Sequence, residues 1–330
     1  MQAGIEECVW APGRVNLIGE HIDYHGLPVL PMALRQRVNV SFVRRKDRLI
    51  RAQSAGHTPS EFEWRAGLTP VGAGDWENYL RAAALAVSSK WGVGAGIDAQ
   101  ITSDLPAAAG LSSSSALIVA FALALLKANG WSATFEELME VFPEGEHFVG
   151  TRGGGMDHAA ALASKEGCAS LVSFHPLAVR HVPIPPHWTF LAADSLVRAE
   201  KSGAARERYN AARFGPGAAA HVAAESARVH AAVEAMERAD AEAFGRLLRE
   251  SHASLRDGLK VSCAALDRLV DTALESGALG ARLTGAGFGG CALVFCLKDA
   301  AAGVEQRLLE RFYNGEAGHI IHAEPGPGSL

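Results

Sequence analysis

The chain has 330 residues, of which 48% are apolar and 20% charged, with a formal net charge of −5. This is enough hydrophobe for a sizeable core and too little charge for intrinsic disorder. No apolar run approaches the eighteen or so residues of a membrane span, and the acidic balance speaks against a nucleic-acid partner, so a soluble globular protein is expected.

At the N-terminus MQAGIEECVW carries two glutamates where a secretory signal needs positive charge. Next comes a β-type stretch, in which Arg14, after Pro12 and Gly13, is the one cation of the segment at 11–31. In GEHIDYHG at 19–26, Glu20, His21, Asp23 and His25 are packed between glycines. Flanking glycines and Pro28 oppose the helix that would set His21 and His25 on one face for zinc, so the loop suits recognition of hydroxyl-rich ligands better. Strands are expected at Val38–Val43 and Ile97–Ile101, with a helix from Trp76 to Lys90 ending before Gly92.

The segment LPAAAGLSSSSA at 105–116 leads into ALIVAFALALL, an uninterrupted apolar run ending near Asn129–Gly130. The run reads as a central core helix, with Ser112–Ser115 as its N-cap region. Small residues (Ala107, Ala108, Ala109, Gly110) let the backbone approach an anion, and the serine amides stand at the positive end of the helix. A hydroxyl of Ser113 or Ser114 suits Mg²⁺ on a bound phosphate, since that ion prefers hard oxygen ligands. Asp157 follows three glycines and precedes an apolar stretch, where an unpaired carboxylate would be costly.

Ser170–Phe174 reads as a strand, and the prolines that follow suggest a domain boundary near residue 175. Beyond it, 218–257 is alanine-rich and helical in period, and Leu266 to Leu274 form a further helix stopped by Gly277. LTGAGFGGCALVF at 283–295 satisfies GxGxxG formally, but a β-type run follows it, so it joins two strands, as a loop that approaches a ligand closely or as a plain tight hairpin, and does not open a dinucleotide-binding helix. The tail AEPGPGSL at 323–330 is expected to be loose. Five scattered cysteines without a CxxC pair fit reduced thiols in the cytoplasm, and no motif sets an oligomeric state.

Together, GRVNLIGEHIDYHG, LPAAAGLSSSSA, GGGMDH and LTGAGFGGC closely resemble the galactokinase family, within the superfamily of galactose, homoserine, mevalonate and phosphomevalonate (GHMP) kinases. The resemblance implies a two-lobed α+β GHMP-kinase fold: a mixed-sheet N-terminal domain over 1–175, a helix-rich α+β C-terminal domain over 176–330, and an active site between them. It implies transfer of the ATP γ-phosphoryl group to the C1 hydroxyl of galactose, with N-acetylgalactosamine or another sugar as the alternative and a non-catalytic sensor as a remote one. Asp157 would be the base and Arg14 its partner at the transferring phosphate. Glu20, His21, Asp23, Gly154 and Gly155 would hold the sugar. The phosphate loop would comprise Ala107, Ala108, Ala109, Gly110, Leu111, Ser112, Ser113, Ser114 and Ser115, with Ser113 or Ser114 and Glu146 holding Mg²⁺.

The chain departs from the family in places. His158 replaces the usual glutamine after MD, Ala108 and Ala109 stand where many relatives have glycines, and by alignment Ala205 stands at a sugar-contacting tyrosine. IDYHG, GLSSSSAL and GTRGGGMD are more similar to the branch of N-acetylgalactosamine kinases and plant-type galactokinases.

Overall fold

The computed structural model describes residues 6–106, 110–150, 153–198, 203–215 and 217–330. In the first half, β1 (Glu7–Ile18), β2 (Leu30–Arg44), β3 (Leu49–Ser54), β4 (Ser60–Glu63) and β5 (Ile97–Ser103) form one sheet in the order β1-β2-β5-β3-β4. The pairings are antiparallel except β3 with β5, and that parallel pair is joined by a crossover carrying α1 (Glu77–Trp91), as parallel neighbours require. α2 (Ser113–Ala128) packs on β1 and β2, and it is buried on nearly every side, as its apolar run demands. α3 (Phe135–Phe148) and α4 (Met156–Ala163) complete the layer.

A hairpin of β6 (Cys168–Phe174) and β7 (Leu177–Pro183) follows, and residue 175 falls in its turn. A second, fully antiparallel sheet takes β8 (Trp188–Asp194), β9 (Gly280–Leu283), β10 (Cys291–Leu297) and β11 (Ile320–His322) in the order β11-β8-β10-β9. Around it lie α5 (Gly203–Ala212), α6 (Ala218–Glu237), α7 (Ala241–Ala253), α8 (Ala264–Glu275) and α9 (Lys298–Arg311). Both faces of this sheet are buried, and the two-residue side-chain period divides them. Phe190, Leu293 and Phe295 face the large core that continues into the first lobe, while Leu191, Val294 and Cys296 face a smaller core under α8 and α9.

The elements read from periodicity are present, and the glycine loop at 284–290 does join two strands, β9 and β10. The tail is a correction. Gly326 N donates to Ala33 O at 2.9 Å, and Ser329 N and Leu330 N donate to Ala161 O and Leu162 O at 2.9 and 3.1 Å. It lies against β2 and caps the C-terminal carbonyls of α4, because Gly326 and Gly328 have no Cβ to collide with the backbone of Leu34 and Leu162.

Candidate active site

Arg14 and Asp157 meet where β1, the start of α2 and the start of α4 converge. β1 shifts register between Pro12 and Arg14, and Arg14 N donates to Leu111 O at 3.1 Å while its Nη1 donates to Gly110 O at 2.8 Å. The strand is thereby stitched to the end of the predicted phosphate loop, of which Ala107, Ala108 and Ala109 lie outside the described residues. Arg14 Nε donates to Asp157 Oδ1 at 2.7 Å, with Nη2 2.6 Å from the same oxygen. Burial opposes the Arg14 charge, yet Asp157, Glu20 and Asp23 outweigh it and push its pKa up, so it stays a cation.

The other carboxylate oxygen faces the serines. Ser112 Oγ donates to Asp157 Oδ2 at 2.5 Å, and Ser115 Oγ lies 3.3 Å from Oδ2 and 3.0 Å from Glu146 Oε1. Ser112 occupies the N-cap of α2 with φ 60°, but its hydroxyl is turned to Asp157 and not to a helix amide. The hydroxyl beside Glu146 is that of Ser115, while Ser113 and Ser114 are half-buried at the first turn. Gly155, at φ 98°, ends the glycine run as the N-cap of α4 and so places Asp157 in the first helical turn. His158 is wholly buried against the Phe142 ring, its Nε2 3.8 Å from Glu146 Oε1, and neither ring nitrogen has a hydrogen-bond partner.

Three residues of the signature loop lie on the far side of Arg14. Asp23 Oδ2 accepts from Gly154 N at 2.9 Å, and burial with the nearby Asp157 charge raises the Asp23 pKa to about 6. His21 Nε2 is 3.1 Å from Ala286 O and its Nδ1 is 2.9 Å from Tyr24 Oη. Burial lowers its pKa to about 4, so it is neutral near pH 7; a carbonyl only accepts, which assigns the proton to Nε2 and makes Nδ1 the acceptor from Tyr24. Glu20 Oε1 accepts from Gly285 N at 2.6 Å, and burial raises its pKa against the pull of Arg282 and Arg14. His25, by contrast, is exposed, its ring 4.9 Å from that of Tyr24.

Sequence reasoning missed Tyr209. It lies on α5, its ring 5.4 Å from His21 and 6.3 Å from Tyr24, and burial together with the Asp23, Glu146, Tyr24 and Asp157 charges raises its pKa well above the usual value. The side chain of Ala205 lies outside those described, and the aromatic at the site comes one helical turn later. The signal was a lone tyrosine in the polar run RERYNAA. Arg282, Thr284 and Glu225, which surround Glu20 and Gly19, were not named either, although Thr284 lies in the quoted motif LTGAGFGGC and Arg282 is a single arginine in the apolar strand GARL.

A cation and carboxylate at a helix N-terminus thus face a buried polar loop, Glu20, His21 and Asp23, in a two-domain α+β fold. Residues 78–165 match the GHMP kinases N terminal domain, 232–314 the GHMP kinases C terminal, and 3–44 the galactokinase galactose-binding signature. The chain is 36% identical to the galactokinase of Streptomyces coelicolor, covering 98% of itself and 94% of that protein, and 34% identical to that of Homo sapiens, covering 94% and 89%. The structure of Lactococcus lactis galactokinase complexed with galactose superposes with a TM-score of 0.89 at 25% identity, over 98% of this chain and 95% of that one. Mevalonate kinase of Methanococcus jannaschii shares the fold, with a TM-score of 0.75 at 18% identity over 98% and 99%. The fold is that of the GHMP kinases. Within them, the chain belongs to the galactokinase family.

Proposed function

We propose that the protein transfers the γ-phosphoryl group of ATP to the C1 hydroxyl of galactose, in the cytoplasm, with the β6–β7 hairpin around residue 175 at the division of its two lobes. The observation that carries this reading is the Arg14–Asp157 pair at the N-terminus of α2, within reach of Asp23 and Gly154.

Asp157 Oδ1 accepts from the Arg14 guanidinium, and Oδ2 accepts from the hydroxyls of Ser112 and Ser115. Oδ2, which faces the serines, exchanges a serine hydroxyl for that of the sugar and takes its proton. Arg14 stabilises the charge that spreads over the transferring group, and the amides of Ser112–Ser115 hold the phosphates at the helix N-terminus. Glu20, His21, Asp23 and the glycines Gly154 and Gly155 hold the sugar hydroxyls, with Tyr209 closing over them. With an aromatic ring already at the site, the space that an alanine at 205 would leave no longer argues for a 2-acetamido sugar, and galactose is preferred.

The donor set fits Mg²⁺. Glu146 is buried with a hydroxyl 3.0 Å from its Oε1, and Ser115 joins Ser113 and Ser114 as a serine ligand for the ion. Among the described residues no three His, Cys, Asp or Glu side chains cluster for a metal, which suits an ion held by one or two carboxylates, waters and substrate phosphates. Bound there, the ion would neutralise charge on the β- and γ-phosphates.

The test is ADP release over galactose, N-acetylgalactosamine, glucose, arabinose and galacturonate, for wild type and Asp157→Asn. Galactose should lead, and the variant should lose at least about 10²-fold in kcat while still binding nucleotide. Variant turnover within about tenfold of wild type removes Asp157 from the chemistry, and a kcat/KM about tenfold higher for N-acetylgalactosamine changes the sugar.

A further inference from the structure

The carboxylate of Glu20 belongs to the first lobe by sequence, but the second lobe holds it. Its Oε1 accepts from Gly285 N at 2.6 Å and Thr284 Oγ1 at 3.3 Å, and Arg282 Nη2 lies 3.7 Å away. Arg282, on β9, is wholly buried and reaches back across the lobes, its Nη1 donating to Leu17 O at 2.9 Å and Asn16 O at 3.2 Å. Glu225 of α6, electrostatically coupled to Arg282, accepts from Gly19 N at 2.9 Å and Ser251 Oγ at 2.7 Å. Residues 16–20, which carry β1 into the sugar loop, are thus gripped by one arginine and one glutamate of the second lobe.

The electrostatics explain why a charge is kept in this place. Burial favours the neutral form of both carboxylates, and Arg282 is the largest single influence opposing it at Glu20 and at Glu225. A strut needs only the two carbonyl contacts. Arg282 also buries Nε and Nη2 without hydrogen-bond partners, which is costly unless the charge itself is needed.

We propose that Arg282 is a positioning residue for sugar recognition: by facing Glu20 while bonded to Asn16 and Leu17, it sets the Glu20 carboxylate on the Gly285 amide and at the sugar pocket. Sugar binding and the docking of the two lobes are then determined by one side chain. The inference rests on the reading that Glu20 holds a sugar hydroxyl.

The test is a double-mutant cycle on the full chain, with Glu20→Gln, Arg282→Met and both together. It is read as separate KM values for galactose and ATP and as galactose Kd by calorimetry without nucleotide. Each single variant should weaken galactose by about tenfold or more and move the ATP KM by less than about threefold. The double variant should lie within about twofold of Glu20→Gln, because the second change removes a partner already lost. Additive losses, or equal losses for galactose and ATP, overturn the proposal and leave Arg282 a general strut. If Arg282→Met does not fold, Arg282→Lys takes its place; it keeps the charge, loses the forked geometry and is judged by the same comparison. A wild type that binds no galactose defeats the sugar reading alone. Crystal structures of wild type and Arg282→Lys then decide the inference: Glu20 leaving the Gly285 amide supports it, and Glu20 unmoved overturns it.

Discussion

Arg14 donates through its backbone to Leu111 O, and its side chain makes two contacts, to Asp157 and to Gly110 O. A lysine would keep the charge but lose the fork that joins them. Arg14→Lys should lower kcat by about 10²-fold with less than about a threefold change in ATP KM, since the contact matters most as charge moves. Steady-state kinetics check this, and an effect confined to KM would limit Arg14 to ground-state binding. Asp23 gives a pH prediction. Its folded pKa of about 6 lies above the ordinary carboxylate value, so the folded state holds a proton that the unfolded state has released. Its contribution to stability is therefore full below the unfolded pKa and declines as pH rises through about 6. Asp23→Asn should then stabilise the sugar-free protein at pH 7.5 by about 1–2 kcal/mol, and by nothing near pH 4. Urea midpoints at the two pH values test it, and the same variant should bind galactose poorly.

At the scale of elements, the site depends on backbones that approach closely. A Cβ on Gly154 would collide with the backbone of Asp23 and Tyr24, so the run before α4 must lie flush against the signature loop. Gly154→Ala should force the two segments apart, raising galactose KM by at least about tenfold while leaving nucleotide binding within about threefold. Galactose and nucleotide titrations separate the two, and unchanged galactose affinity would show that the contact is not needed. Ser112 shows an element yielding to the site. A serine at an N-cap ordinarily satisfies a helix amide, worth about 1 kcal/mol, but here its hydroxyl serves Asp157.

Across the whole molecule, α4 is short, and its last carbonyls are satisfied from the far end of the chain by residues 329 and 330. Removing 326–330 leaves Ala33, Ala161 and Leu162 without these donors. The protein should lose about 2–4 kcal/mol of stability, and kcat should fall because α4 carries Asp157. Urea unfolding and turnover of the truncated chain test this, and wild-type values for both would show that water replaces the tail. Among the described residues no helix is long and apolar enough to cross a membrane. Near Asp23 and Gly154 a cleft of about 500 Å³ opens toward Met139, Phe174 and Arg213.

The sequence by itself determined what depends on local order. The apolar run of α2, the β-type run after GFGG, the glycines before Asp157 and the acceptors of GEHIDYHG are short-range patterns, and each marked its element or loop. Arg14 and Asp157 were legible as a cation after a glycine and a carboxylate without an obvious partner. Only the tertiary structure decided which distant groups meet. Tyr209 comes 188 positions after His21 and Arg282 comes 262 after Glu20, and no periodicity links such positions. Tyr209 is one polar-helix aromatic, and Arg282 one charge in an apolar strand. Their roles follow from the packing of α5 and β9 against the signature loop, where burial makes a partner obligatory. The tail was misread for the same reason. Glycine and proline mark a chain that need not order itself, and whether it does depends on the carbonyls that another part of the fold presents to it.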